Sequence, residues 1–524
     1  MNVAFDPWIP VVNRAGEREL ASLCSVLTEG EKFADLAVRP HERVALMRLF
    51  LCVAHAALDG PKNYDEWRDV PKRLPDAAFK YLTVWKDWFE LFHKEKPWLQ
   101  VAGLSKGIVD NGPGISADDW TPVSKLNFSF ATGNNSTLFD HGGMGDDRTI
   151  SIFETVLSML TFQCFSPGGL ISQVYWNGTQ SGKSSKDGPC VPASMIHAFL
   201  RGNSLQTTIH LNLPNFDDVK YSYAERDFGR PVWEMPPTSL FDSAVIENAT
   251  TTYIGRLVPM TRLIRLHPSG DCMLLGDGFV YPPFTDGFPP EPTATVVIRT
   301  IGKKEERTLL PYRPAKAFWR ELAAVVVKRG AEGTGGPLSL KAVQDGDGCD
   351  LVIAALARDQ ATIVDTSESI FHIPSRLRSV EGSAIYEAEV KKSESTASRL
   401  GWAIETYRLE IDGGWEGRLK GAGPSKGALK VKLHSIATSH YWTAVEKNLA
   451  LLMTHIESIG TDYAITTREE WRKMLFATAC NSFRTACGQE TPRQMRAFAK
   501  GWQKLTSTKD ESEADIQEIK EDEV

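Results

Sequence analysis

The texture of the chain changes near residue 375, and that change constrains the fold more than any single motif. Beyond it, apolar residues recur every three or four positions: Leu400, Ile404, Tyr407 and Ile411; then Leu433, Ile436, Val445, Leu449, Leu452 and Ile456, interrupted once; then Met474, Leu475, Thr478 and Phe483. A shorter segment follows Thr491-Pro492. Such spacing puts an apolar stripe on each helix. Four helices of this kind predict an antiparallel bundle over 375–508, although the connection DGGWEGRLKGAGPSKG is longer than bundle loops usually are.

Before that point the pattern is mixed. FDPWIPVV and a second short strand around an Asn-Arg-Ala-Gly turn predict a β-ribbon. Residues 44–58 are apolar nearly all round and predict a buried helix. Phe79, Leu82, Trp85, Phe89 and Phe92 fall on one face of an amphipathic helix. Segment 103–150 reads mostly as loop, 151–162 as a helix ended by Ser166-Pro167-Gly168-Gly169, 176–192 as loop and 193–212 as helical. Between 230 and 315, TATVVIRTIG followed by KKEERTLLPY predicts a β-hairpin within a proline-rich subdomain. A helix is expected at 315–328, then a loop at 330–349. The fold class expected is α+β: a large mixed, mostly helical N-terminal domain with β-hairpin elements over 1–374, followed by the C-terminal four-helix bundle.

Charge sharpens the functional reading. The formal net charge is −7, but residues 509–524 hold eight acids against two lysines, which leaves 1–508 at −1. From 376 to 504 there are 20 Lys/Arg against 14 Asp/Glu. A basic segment before an acidic tail is the asymmetry expected where one region meets phosphate and the other stays solvated. The tail is expected to be disordered. No apolar run reaches the ~20 residues that span a bilayer, and MNVAFDPWIPVVNRAGE lacks the basic and apolar regions of a signal peptide. Eight cysteines contain no C-x-x-C, which fits a reducing cytoplasm.

Enzyme and metal signatures are weak. Gly178 to Ser184 imitates a phosphate-binding loop, but three residues separate its glycines where four are needed, and no apolar strand precedes it. Asp345-Gly-Asp347-Gly-Cys349-Asp350 lacks the closing glutamate of a calcium loop. Cys480 and Cys487 have no histidines beside them, and His434 and His440 stand six apart, the wrong interval for a zinc helix. No catalytic residue, metal site or cofactor is expected. The remaining features are polar turns: the amide-rich run 131–143, the Pro167-Gly168-Gly169 segment, where glycine lets backbone approach a partner closely, and Arg358-Asp359-Gln360-Ala361 between LVIAALA and TIV.

In order along the chain, these segments resemble the CasA family, the large subunit of the type I-E Cascade. The family's D-x-W-I-P opening stands here as Asp6-Pro7-Trp8-Ile9-Pro10, and its S-G-N-N-x-T-L-F-D-H loop as Thr132-Gly133-Asn134-Asn135-Ser136-Thr137-Leu138-Phe139-Asp140-His141. A helix ending in Pro-Gly is matched by Pro167-Gly168-Gly169, an N-Q-A-S-I turn by Asp359-Gln360-Ala361-Thr362-Ile363, and a K-G-A-G element by Lys420-Gly421-Ala422-Gly423. The resemblance spans roughly 1–505.

It implies a non-enzymatic subunit that reads the short motif beside the target (the PAM) and starts strand separation. Asn135, Phe139 and His141 would meet the 5′ handle of the guide RNA and the PAM duplex, and Gly168 and Gly169 the PAM minor groove. Gln360, flanked by Asp359 and Ala361, would wedge the duplex. Lys420, Lys426, Lys430 and Lys432 would contact the displaced strand or a neighbouring subunit. The implied partners are the guide RNA, double-stranded target DNA, the backbone, handle-binding and small subunits, and a helicase–nuclease, all in the cytoplasm, with no membrane. One departure stands out: 276–298 holds no lysine where some members touch the PAM, so Arg262 or Arg265 is expected to substitute, and of the zinc-type cysteines found in some members only Cys272 lies near. Two other readings compete: a cytoplasmic hydrolase or nuclease with dispersed acids, and a purely architectural subunit.

Overall fold

The computed structural model describes residues 1–106, 120–130, 150–223, 226–330, 332–359, 362–411 and 424–507. Its contacts divide the chain into two compact units, Met1–Ile373 and Pro374–Val524.

The first unit is built around the helix Pro40–Leu58, which carries Pro at its first turn and buries nearly every side chain. A sequence apolar nearly all round can lie only inside a core. The opening strand Ile9–Asn13 is the centre of a small antiparallel sheet, flanked by Arg18–Ala21 and Phe33–Leu36. Trp8, fully buried beside it, donates its indole N–H to the Val3 carbonyl at 2.7 Å. Trp8 and Ile9 of the D-P-W-I-P opening therefore staple the core, while Asp6 and Pro7 are exposed.

Three elements differ from the sequence expectation. The second helix runs Tyr64–Val84 with Pro71 and Pro75 inside it, and its inward face is Trp67, Val70, Leu74, Ala78 and Leu82. Phe79 and Phe92 are exposed, and Phe89 belongs to a separate turn, so the supposed stripe spans two elements. The stretch expected to be helical at 193–212 opens with the strand Ile196–Arg201, buried along most of its length, before a short helix Leu205–Leu211 capped by Ser204. Apolar runs this short do not tell a buried strand from a helix. The helix expected over 315–328 shrinks to a 3₁₀ turn, Phe318–Glu321, and Leu322–Val325.

The hairpin Val296–Ile301/Lys304–Leu309 forms where the alternating pattern predicts. A longer hairpin, Cys349–Asp359 with Thr362–Ile373, joins Ile196–Arg201 in an antiparallel sheet whose central strand is Cys349–Asp359. That central strand is buried from Leu351 to Ala357, as an apolar run covered on both faces requires.

A buried ion network ties the helical layer together. Glu291 receives Arg48 Nη1 at 2.7 Å on one oxygen and Arg256 Nη2 at 2.6 Å on the other, all three side chains being buried. The spare donors go to backbone: Arg48 Nε to Leu257 O at 3.0 Å and Arg256 Nη1 to Thr250 O at 2.7 Å. Burial alone would raise the Glu291 carboxyl, but Arg256 and Arg48 overcome it and hold the group at about 2.

In the second unit the described helices are Val380–Ile411, Pro424–Lys447, Leu449–Glu457, Ala464–Ala486 and Pro492–Thr506. Val380–Ile411 packs on Ala464–Ala486 and Pro492–Thr506, and Pro424–Lys447 packs on Ala464–Ala486. Glu389, buried on the first of these, accepts from Arg468 Nε and Arg472 Nη2, each at 2.9 Å. The acidic tail lies outside the described residues.

Replacing Glu291 by Gln leaves two buried guanidinium groups without their countercharge. The expected loss in urea unfolding at neutral pH is about 3–5 kcal/mol. The carboxylate's contribution is complete above its ordinary value of 4.5 and vanishes as pH falls towards about 2. Acid titration followed by circular dichroism should show that part of the transition in the wild type and not in E291Q.

Candidate nucleic-acid interface

The helix Ile152–Phe165 starts with a capping box, in which Ser151 and Glu154 bond reciprocally, and it ends against Pro167. The chain leaving it is held from beneath by Arg262, which donates to Pro167 O at 2.7 Å and to Lys186 O at 3.1 Å. Burial draws the Arg262 guanidinium down to about 10, against the pull of Asp277 and Asp187. Beyond Gly168, Gly169-Leu170 pair with Ser184-Ser185, and Ser185 Oγ donates to Gly169 O at 3.1 Å.

Both positions favour glycine. A Cβ on Gly168 would sit 3.0 Å from Asp187 Oδ1 and from Ser185 O, while Gly169 has φ +155, which L side chains rarely adopt, with open space beside it. Gly169 is exposed, and Leu170 is 94% exposed. The segment is thus fixed on its inner side and bare on its outer edge, and Lys183 and Lys186, both exposed, flank it on the partner stretch.

The long hairpin reaches the same place. Its register shifts between Ala357 and Arg358, so Val364 is the extra residue of a bulge, and its last pair is Asp359 with Thr362. Bulges of this kind bend a ribbon and re-aim its end. The Arg358 amide donates to Ser194 Oγ at 3.2 Å. Asp187 then joins the two features: one carboxylate oxygen accepts the Gly168 N–H at 2.7 Å, and the other pairs with Arg358 Nη2.

The body of the hairpin is anchored as well. Glu368 accepts from Arg43 Nε at 2.6 Å, Arg43 Nη1 reaches Asp35 Oδ1 at 2.5 Å, and Arg201 Nε reaches Asp35 Oδ2 at 2.9 Å. Burial opposes ionisation of Asp35, yet Arg43 and Arg201 hold its carboxyl below the ordinary value. A chain of ion pairs of this kind fixes the strand to the helical core.

Of the residues expected at the site, Gly168 is tied through Asp187 to Arg358, next to which Asp359 is exposed, and Gly169 is exposed beside Gly168. Asn135, Phe139, His141, Gln360, Ala361 and Lys420 lie outside the described residues. Lys426 and Lys430 fall on the helix Pro424–Lys447, but their side chains lie outside the description, whereas Lys432 is exposed on the same helix. Arg262 cannot substitute for a hairpin lysine, since it is 2% exposed and its donors are spent on backbone carbonyls. Arg265 is partly buried and donates to Leu104 O at 2.8 Å.

The false phosphate loop resolves into a small hairpin, Tyr175–Trp176 with Thr179–Gln180, turning on Asn177 and Gly178, both at positive φ. Asp187 was missed because its carboxylate has meaning only once residue 358 folds against it. Cys272 sits with His267 and Asp271, ligand atoms within 4.8 Å of one another, but Ser269 engages both the imidazole and the carboxylate.

An exposed backbone edge, two lysines and a hairpin strand anchored at Arg358 suit contact with a groove and its phosphates. The family model for CRISPR-associated protein Cse1 matches residues 2–482. A CRISPR-associated protein CasA/Cse1 from Thermus thermophilus is 28% identical over 535 residues, with 96% of each chain covered. The solved structure of Thermus thermophilus CasA (Cse1) superposes with a TM-score of 0.73 at 23% identity, covering 96% of this chain and 98% of that one. A chain of a CRISPR RNA-guided surveillance complex superposes with a TM-score of 0.67 at 18% identity, covering 97% and 99%. The likeness to these structures is one of fold.

Asp187→Ala removes both bonds at once. Hydrogen exchange of the Gly168 amide should accelerate by at least about tenfold, matching the ~1.5–3 kcal/mol of a charge-assisted bond, while amides of the helix Pro40–Leu58 keep their protection.

Proposed function

The chain belongs to the CRISPR-associated Cse1 family, also called CasA, and on that premise we propose that it is the large subunit of a type I-E, RNA-guided DNA surveillance complex. In this role it recognises the PAM in double-stranded DNA, opens the first base pairs and helps recruit the helicase–nuclease that degrades the target. It cleaves nothing itself and acts in the cytoplasm beside the backbone, handle-binding and small subunits. None of the described helices is long and apolar enough to cross a membrane.

The observation that carries the proposal is the carboxylate of Asp187, shared between Gly168 and Arg358. A duplex edge laid against Gly168 and Gly169 meets backbone and small groups. That suits the minor groove, where the pattern of donors and acceptors is degenerate and a permissive reader is the natural outcome. Parting the duplex costs about 1.4 kcal/mol per base-pair step in lost stacking, offset by pairing with the guide. Because the hairpin strands are locked through Glu368 and Arg358, a wedge formed by Asp359, Gln360 and Ala361 would push against a fixed support. The amide of Gln360 can hydrogen-bond to unpaired base edges.

Asn135, Phe139 and His141 would meet the guide's 5′ handle and the PAM duplex, one ring for stacking and two groups for hydrogen bonding. Lys420, Lys426, Lys430 and Lys432 of the helical unit would hold the displaced strand or the small subunit, which makes affinity fall steeply with salt.

Two measurements test this reading. Electrophoretic shifts of PAM-bearing and PAM-less duplexes, with and without this subunit in the assembled complex, should show discrimination only when the subunit is present; equal binding of both duplexes would remove the central claim. Gln360→Ala should leave assembly intact and slow strand opening, read by permanganate footprinting of unpaired thymines. An architectural subunit would be indifferent to that change, and a hydrolase would show turnover as the purified chain.

A further inference from the structure

Away from the glycine segment, the first unit holds a cavity of about 810 Å³ between the Phe284–Phe288 stretch, the hairpin strand Lys304–Leu309 and the turn after Arg329. Among the described residues that line it, Arg226, Arg307, Arg329 and Lys341 face one carboxylate, Glu306. Three of these cations are solvated or occupied. Lys341 pairs with Asp218 at 3.4 Å, Arg307 Nη1 donates to Glu332 O at 2.7 Å, and Arg226, which is exposed, lies 4.9 Å over the Phe288 ring.

Arg329 is different. It is 7% exposed, and its Nη2 donates to Ala294 O at 2.6 Å, but its Nε has no partner and no carboxylate pairs with it among the described residues. Thr308 Oγ1, in the same wall, is also buried without a partner. The nearby Glu332 carboxylate is turned to Thr334 Oγ1 at 2.6 Å. Burial draws the Arg329 guanidinium down to about 10. An uncompensated buried cation is costly, and a donor left unsatisfied adds to the cost.

We infer that this cavity is a binding site for a phosphate group, accepted by the Arg329 guanidinium and the Thr308 hydroxyl, with Arg226 and Arg307 at its mouth. Guanidinium presents a planar fork that matches phosphate oxygens, and a bound dianion supplies the countercharge that the fold omits. The Phe284 and Phe288 rings give an apolar wall for whatever carries the phosphate. Two sources share this chemistry, a free nucleotide or polyphosphate and the backbone of a nucleic-acid strand.

The test is calorimetric titration of the full chain with inorganic pyrophosphate and, separately, with a single-stranded oligonucleotide. Saturable binding of either one is expected, weakened about tenfold or more by Arg329→Gln and by Arg226→Gln. The second variant alters an exposed side chain and leaves the core intact, so the test survives if the first fails to fold. Pyrophosphate binding points to a free ligand, and binding of the oligonucleotide alone points to a strand. No binding of either, or binding unchanged by Arg226→Gln, overturns the inference, as does binding unchanged by a folded Arg329→Gln. PAM discrimination plays no part in the readout.

Discussion

Glu291 is the constraint on which the first unit depends. Its two oxygens join Arg48 of the central helix to Arg256 of the short helix Tyr253–Leu257. Two residues on, Thr293 Oγ1 meets His197 Nδ1 at 2.8 Å, and the other ring nitrogen meets Cys190 O at 3.1 Å. Burial draws His197 down to about 4, so it is neutral at neutral pH and adds no second charge. The Cys190 amide in turn bonds to Cys164 O, at the end of the helix that carries Pro167-Gly168-Gly169. The ion network in the core and the exposed glycine edge are thus linked by consecutive buried hydrogen bonds. Displacing the carboxylate would disturb the scaffold behind the proposed recognition surface.

Much of this was legible in the sequence where pattern and chemistry agree locally. The buried central helix, the capped helix at Ser151, the Val296–Leu309 hairpin and the helical character after residue 375 all follow from periodicity and turn residues. What failed had a physical cause in each case. Pro71 and Pro75 argue against a helix, yet Tyr64–Val84 is helical because Trp67, Val70, Leu74, Ala78 and Leu82 all find the core. Ile196–Arg201 looked helical because a buried strand has no polar alternation to betray it. The glycine segment and the residues at the hairpin tip could be singled out from the sequence. Their connection could not, because it runs through Asp187, which lies 171 positions from its partner Arg358.

Both units use a carboxylate held between two arginines. In the helical unit Glu389 gathers Arg468 and Arg472 from a neighbouring helix, and in the first unit Asp35 gathers Arg43 and Arg201. One acid facing two arginines leaves the Glu389 cluster with net positive charge, whereas Glu368 on Arg43 balances the charge around Asp35. Such clusters set how elements align, because each carboxylate is held between arginines from separate positions in the chain.

Gly169 offers its main chain, with no side chain, at the outer edge of the segment. A surface made this way has no handle for point substitution to adjust. Whatever lies against it meets peptide groups whose identity no codon alters, and a replacement at 169 strains the backbone before it can introduce a new preference. Selectivity at this edge would then change by moving the ribbon through its Asp187 tether, or through the exposed side chains of Leu170, Lys183 and Lys186 beside it.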